Sequence, residues 1–259
     1  MSATSAAAAS ASVSQSAPHT ATASSTSGSR SKVRATILVS GSGTNLQAII
    51  DASQPNGYLH DLHIVRVITD REKGKAGLAR AEKAGIPTRM LKSKAYKDQY
   101  STTEEEERFN EKWRRKFDDD LQKLVLEDQP ELIINAGFMH VYTPSFLTPI
   151  TAAAVPIINL HPSLPASYEE HIAGATSLKD AHEEFLRGKF KKTGMMIHYV
   201  IEEVDKGEPI VVVEVPFEKR DEDDFAGFEE RFHRREWEAI VEGTRRVCDV
   251  ILEKKGRGA

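Results

Sequence analysis

The sequence predicts an α/β protein: a mostly parallel, twisted sheet flanked by helices, with an antiparallel strand pair near the C-terminal part. Three observations carry this. Short β-branched apolar runs alternate with segments of helical spacing along most of the chain. Gly, Pro or polar clusters punctuate them. The last two strand-like runs have no helix between them, only a turn, which suits antiparallel pairing.

The elements follow in order. Met1 to Ser31 is almost wholly Ser, Ala and Thr, has no acid and shows no apolar period. Such a stretch cannot bury enough apolar surface to offset its ordering entropy, so residues 1–31 are expected to be a disordered tail and residues 32–259 one domain. Arg34 to Ser40 (RATILVS) reads as a strand, Gly41-Ser42-Gly43-Thr44-Asn45 as a tight loop, and LQAIIDA as the helix that it opens. His63 to Thr69 is a second strand. Gly74 to Ala84 is a helix stopped by Gly85, with a short strand at Thr88–Leu91. Ser101-Thr102-Thr103, each with an acid three residues on, begin a helix that runs to about Asp128 before Pro130. Leu132–Ala136 is a buried strand, Pro144–Leu147 a short helix, Ile157–Leu160 a strand, and Leu178–Arg187 a helix closing at Gly188. Gly194–Glu203 and Pro209–Pro216 form the closing pair, and Asp223–Lys254 one long helix.

Composition excludes several roles. The net charge is −4 and basic residues mingle with acids, as in KWRRKFDDD, so there is no basic field for nucleic acid. No apolar run is long enough to span a bilayer. The one cysteine, Cys248, rules out an internal disulfide or a cysteine metal cluster and reads as a core or neutral residue. A reducing cytoplasm is the simple reading. No metal site is expected.

Ligands of such sheets bind at the carboxyl ends of strands. Three segments lie there. GSGTN joins a strand to a helix, where glycines allow close approach and the free N–H groups attract an anion. A turn with a Thr or Asn cap explains it equally well. It is neither a dinucleotide fingerprint, because Leu46 stands at the third Gly, nor a P-loop, because no Gly-Lys-Ser/Thr follows. Gly137–Tyr142 is the second segment. The third, IINLHPSLP, carries a buried-looking strand into Asn159, His161 and Pro162. Residues two apart on an extended chain point to one side, so Asn159 and His161 face one cavity. Asp205, in a V-D-K-G turn, is the candidate acid beside that histidine; a capped turn plus an ordinary hairpin turn is the plainer alternative. His198 reads as structural support, and Trp113 and Trp237 as packing residues.

Taken in order, GSGTNLQAII, INAGFMHVYTPSFL, INLHPSLP and TGMMIHYVIEEVDKGEPIV resemble the folate-dependent formyltransferases, and the GSGTN loop resembles the branch that formylates glycinamide ribonucleotide. The resemblance runs from about Val33 to Lys254. It implies a Rossmann-like formyltransferase fold and transfer of a formyl group from 10-formyltetrahydrofolate to glycinamide ribonucleotide in purine (IMP) biosynthesis. By residue, it implies that Asn159, His161 and Asp205 are catalytic, with His161 charged. It implies that Gly43, Thr44 and Asn45 hold the substrate phosphate and Glu236 its ribose. The pterin is expected between Met139, His140, Val141 and Tyr142 on one side and Ile201, Glu202, Glu203 and Val204 on the other. A monomer or weak homodimer without metal is expected. The alternatives are a formyltetrahydrofolate hydrolase, a methionyl-tRNA formyltransferase, or a non-catalytic nucleotide or folate binder. The sequence departs from the family at His140, where many relatives have Arg. It departs again at Glu106, with Arg108 nearby, where relatives have an Arg for the folate's glutamate tail, and at Ala166–Ile172 (ASYEEHI), which replaces a Gly-containing loop.

Overall fold

A computed structural model of the protein describes residues 32–100, 111–172 and 177–257. The tail at 1–31, the capping pattern at 101–107 with Glu106 and Arg108, and Gly174-Ala175 lie outside the described residues. Seven strands form one sheet: β1 (Val33–Val39), β2 (Leu62–Thr69), β3 (Thr88–Met90), β4 (Leu132–Asn135), β5 (Ile157–His161), β6 (Lys192–Tyr199) and β7 (Pro209–Pro216). Their order is β3-β2-β1-β4-β5-β6-β7. The first five are parallel, and β6 runs antiparallel to both β5 and β7. The chain winds outward from β1 one way through β2 and β3, then the other way through β4 and β5. The crevice between β1 and β4 is therefore the topological switch point, where such sheets take their ligands.

The described helices are α1 (Thr44–Ala52), α2 (Lys75–Lys83), α3 (Ser93–Tyr100), α4 (Glu111–Leu126), α5 (Pro144–Ala152), α6 (Ser177–Leu186) and α7 (Phe225–Arg257). They cover both sheet faces, because parallel strands with alternate residues all apolar must be buried twice. On one face, Leu46, Ile49 and Ile50 of α1 pack with Phe228, Phe232, Ile240 and Val247 of α7 over β1 and β6. On the other, Trp113, Phe117, Leu121 and Val125 of α4 pack with Phe146 and Ile150 of α5 over Leu38, Ile68 and Ile133. Each fully buried Leu, Ile or Phe contributes about 1.5–3 kcal/mol. Cys248 belongs to the first cluster, and burial pushes its thiol up to about 12, so it is a core residue.

Four expectations are corrected. β6 stops at Tyr199 rather than Glu203: Val200 donates once more to Ile157 and the chain then leaves the sheet. Apolar Ile201 mimicked a strand residue but stays exposed. β5 extends one residue further, so His161 is itself part of the strand. The helix at Pro144 continues to Ala152 through Pro149, because Phe146 and Ile150, four apart, anchor one face in the core. Helix α3 was not foreseen: SKAYKDQY has no apolar period, and only Ser93 is buried. Its Tyr96 is held instead by an edge contact to Phe117 at 5.5 Å.

Candidate active site

Asn159 and His161 lie two apart on β5 and both line one cavity of about 350 Å³. That volume falls in the range of small-molecule sites. A larger cleft of about 1110 Å³ lies behind the chain at 200–202. It holds none of the three candidate catalytic side chains, so the smaller cavity is the candidate site. Across the antiparallel ladder, His198 of β6 stands opposite Asn159. The connection from β6 to β7 then folds back and carries Asp205 over both histidines. Asp205 Oδ2 lies 3.4 Å from His161 Nδ1, and its Oδ1 lies 3.5 Å from His198 Nε2.

Two backbone features place that carboxylate. Asp205 adopts φ +56°, a left-handed conformation that costs a non-glycine residue on the order of 1–3 kcal/mol and clusters at functional sites. Gly207, two residues on, lies flat against the end of β6, where a Cβ would overlap the Tyr199 carbonyl. The D-x-G spacing therefore reports a chain that must turn sharply and touch the preceding strand.

The hydrogen bonds fix the roles. His198 Nδ1–H donates to the Tyr199 carbonyl at 2.9 Å, and its Nε2 faces both Asn159 Nδ2 at 3.3 Å and Asp205 Oδ1 at 3.5 Å. One amide hydrogen of Asn159 points at His198, and the other is left for a ligand. His161 is 5 % exposed, and its Nε2 is buried with no partner among the described residues. Burial lowers the His161 pKa, and nearby His198 and His171 lower it further; the Asp205 carboxylate raises it but does not win. His161 Nδ1 faces Asp205 and its Nε2 stays open toward the cavity, and the lowered pKa favours the neutral ring before a ligand enters. Burial pushes Asp205 up, but the His198 hydrogen bond and the His161 charge outweigh it, so the carboxyl is held below its usual range. His198, expected only to support the strand, belongs to this group. The signal available in the sequence was its place in a strand seven residues before the D-x-G aspartate.

The mouth of the cavity is apolar. Met139, Val141, Ile201 and Val204 are four of the eight exposed large apolar residues among those described. All four line this cavity, together with His140, Tyr142 and Glu202; Glu203 does not. Burial raises the Tyr142 pKa well above the usual phenol value, and the hydroxyl donates to Asn135 Oδ1 at 2.8 Å. A flat, mostly apolar slot of this kind suits a heteroaromatic ring. Among the described residues, no group of three or more His, Cys, Asp or Glu is arranged to hold a metal ion.

The loop before α1 lies outside this cavity, at the end of β1. Gly43 occupies the helix N-cap position with φ +72° and no side-chain cap bond. Neither Thr44 nor Asn45 caps the helix, so the capped-turn alternative fails and the first-turn N–H groups remain available. Asn45 Oδ1 is buried without a partner among the described residues. Arg80 of α2 holds the loop in shape, donating from Nε to the Ser42 carbonyl at 2.9 Å and from Nη1 to Gln47 at 3.2 Å. Glu236 is 7 % exposed on α7, which packs on α1, and accepts from His233 Nδ1 at 2.6 Å.

A Cβ on Gly43 would stand 2.7 Å from Gly77 Cα, besides straining the positive φ. Gly43→Val is therefore expected to weaken binding of a phosphate-bearing substrate by at least tenfold while binding in the 350 Å³ cavity holds, as titration calorimetry with each ligand would show. Equal loss of both would make the loop structural.

A sheet with this switch point, an Asn-His-Asp group and an apolar slot together suit an enzyme that transfers a group to or from a heteroaromatic carrier. The formyl transferase family matches residues 33–244, and the chain belongs to that family. The particular relatives are phosphoribosylglycinamide formyltransferases. The one from Schizosaccharomyces pombe is 38% identical over 219 residues, covering 85% of this chain and 97% of that protein. The one from Saccharomyces cerevisiae is 39% identical over 220 residues, covering 84% and 98%. Among solved structures, glycinamide ribonucleotide transformylase 1 from Symbiobacterium toebii superposes with a TM-score of 0.65 at 27% identity, covering 84% of this chain and 88% of that one.

Proposed function

We propose that the protein is a phosphoribosylglycinamide formyltransferase, moving the formyl group of 10-formyltetrahydrofolate to the amine of glycinamide ribonucleotide in purine (IMP) biosynthesis. The observation that carries the mechanism is the His161 Nε2 lone pair, buried and unpartnered beside Asn159 and Asp205. The pterin lies between 139–142 and 201–204, and the formyl carbon faces β5. The substrate phosphate lies on the loop at Gly43, Thr44 and Asn45, with Glu236 toward the ribose.

The amine nitrogen attacks the formyl carbon and a tetrahedral oxyanion forms. Asn159 donates its second amide hydrogen to that oxygen. His161 Nε2 takes the proton that the attacking nitrogen sheds, and Asp205 stabilises the resulting imidazolium. The proton passes to folate N10 as the carbon–N10 bond breaks, which returns His161 to neutral. A preorganised oxyanion donor contributes roughly 3–4 kcal/mol, and positioned proton transfer about 10²–10⁴-fold.

The test is turnover of 10-formyltetrahydrofolate with and without glycinamide ribonucleotide. Strict dependence on the amine is expected. Turnover that ignores it would mean a hydrolase, and formylation of methionyl-tRNA instead would mean the tRNA enzyme. No metal, nucleic acid or membrane takes part in this reading, the protein is a cytoplasmic monomer or weak homodimer, and no described helix is long and apolar enough to cross a membrane. Residues 1–31 stand apart from the chemistry: deleting them is expected to leave the Tm and kcat nearly unchanged. A large fall in either would show that this segment packs on the domain.

A further inference from the structure

The loop that forms one wall of the cavity is fastened at two points. At its start, Ser40 at the end of β1 accepts the Met139 N–H at 2.9 Å and donates to Asp70 at 2.6 Å. At its end stands Asp118 of α4, a fully buried carboxylate that no motif singled out. Its Oδ2 accepts the Thr143 N–H at 2.6 Å, and its Oδ1 accepts from His140 Nε2 at 2.6 Å. The His140 ring is wedged edge-on against Phe117 at 4.8 Å and is itself buried. Between these fastenings, the main-chain N–H groups of residues 140–142 donate to no described residue. Met139 and Val141 point outward while His140 points into the core.

A buried carboxylate has a cost in desolvation that only good partners offset. Here both partners belong to the loop. We propose that Asp118 is the positioning residue for the folate pocket: by pulling His140 inward and capping Thr143, it holds the 139–142 main chain extended, with its free polar edge facing the pterin. This rests on the reading of the cavity as the folate site. Asp118 touches neither reactant and acts through His140 and Thr143.

The experiment measures the KM of each substrate, kcat and Tm for Asp118→Ala, Asp118→Asn, His140→Leu and the double variant Asp118→Ala/His140→Leu. Tetrahydrofolate binding to each is followed by calorimetry. Asp118→Ala is expected to raise the KM for 10-formyltetrahydrofolate about tenfold or more, the scale of leaving a buried donor unpaired. The KM for glycinamide ribonucleotide and kcat change less than about twofold. Asp118→Asn keeps an oxygen for the Thr143 N–H and recovers most of the loss. His140→Leu reproduces much of the effect, and the double variant is no worse than the larger single one, as for residues that act as a unit. If Asp118→Ala does not fold, His140→Leu and Asp118→Asn carry the same comparison. Unchanged folate KM in folded variants, additive effects, or equal loss for both substrates would overturn the proposal. Wild-type protein that does not bind tetrahydrofolate would overturn the reading of the cavity as well.

Discussion

Asp205→Asn is expected to lower kcat by about 10²-fold or more while both substrates still bind, the scale of lost acid–base assistance. Asparagine keeps the size and tolerates the left-handed φ of +56°, so the turn and Gly207 behind it should survive. What disappears is the charge 3.4 Å from His161 Nδ1. That charge raises the His161 pKa against the stronger lowering by burial. Removing it moves the His161 titration, followed by NMR, to still lower pH. The sign has a kinetic counterpart. A ring that works as a base from its neutral form loses activity as pH falls through its pKa. The acid limb of kcat/KM therefore lies below the ordinary histidine range in the wild type and lower again in the variant. Near-normal turnover, or an upward move of the titration, would reduce Asp205 to a turn residue and direct attention to Glu202 or Glu203.

Asn159→Ala is expected to cost about 10²–10³-fold in kcat, the effect of deleting one preorganised oxyanion donor. Substrate KM values change little, because the interaction exists fully only when the oxygen carries charge. The cut also removes the 3.3 Å contact to His198 Nε2. His198 keeps its bond to the Tyr199 carbonyl, so the strand stays in register. Stopped-flow measurement of a single turnover isolates the chemical step. A loss smaller than tenfold there would place the oxyanion donor elsewhere.

The elements legible in the sequence were those whose own pattern decides them. RATILVS, LIINA and IINL are short, β-branched and apolar, and they became β1, β4 and β5 because burial on both faces leaves them no alternative. The helix stops at Gly85 and Gly188 were equally plain, since both residues take positive φ. Asn159 and His161 share a cavity because alternate residues of a strand share a face. Asp205 was found through its turn. Ile201 was misread as strand because an apolar residue beside a ligand slot looks locally like an apolar residue of a core.

The sequence by itself determined the order of the strands and of every described helix but α3, the glycine loop before α1, and the residue types of the Asn-His-Asp group with their family. Those properties are local, or they follow from one strand's periodicity. Only the tertiary structure decided which contacts set the chemistry. His198 meets Asn159 through a cross-strand register between residues 39 apart. Asp118 meets His140 and Thr143 from another helix. The lowering of the His161 pKa follows from how much protein surrounds it, which no spacing records. Burial and long-range hydrogen bonds are sums over neighbours that the chain brings together only on folding, and in this site those sums decide which nitrogen of His161 is left without a partner.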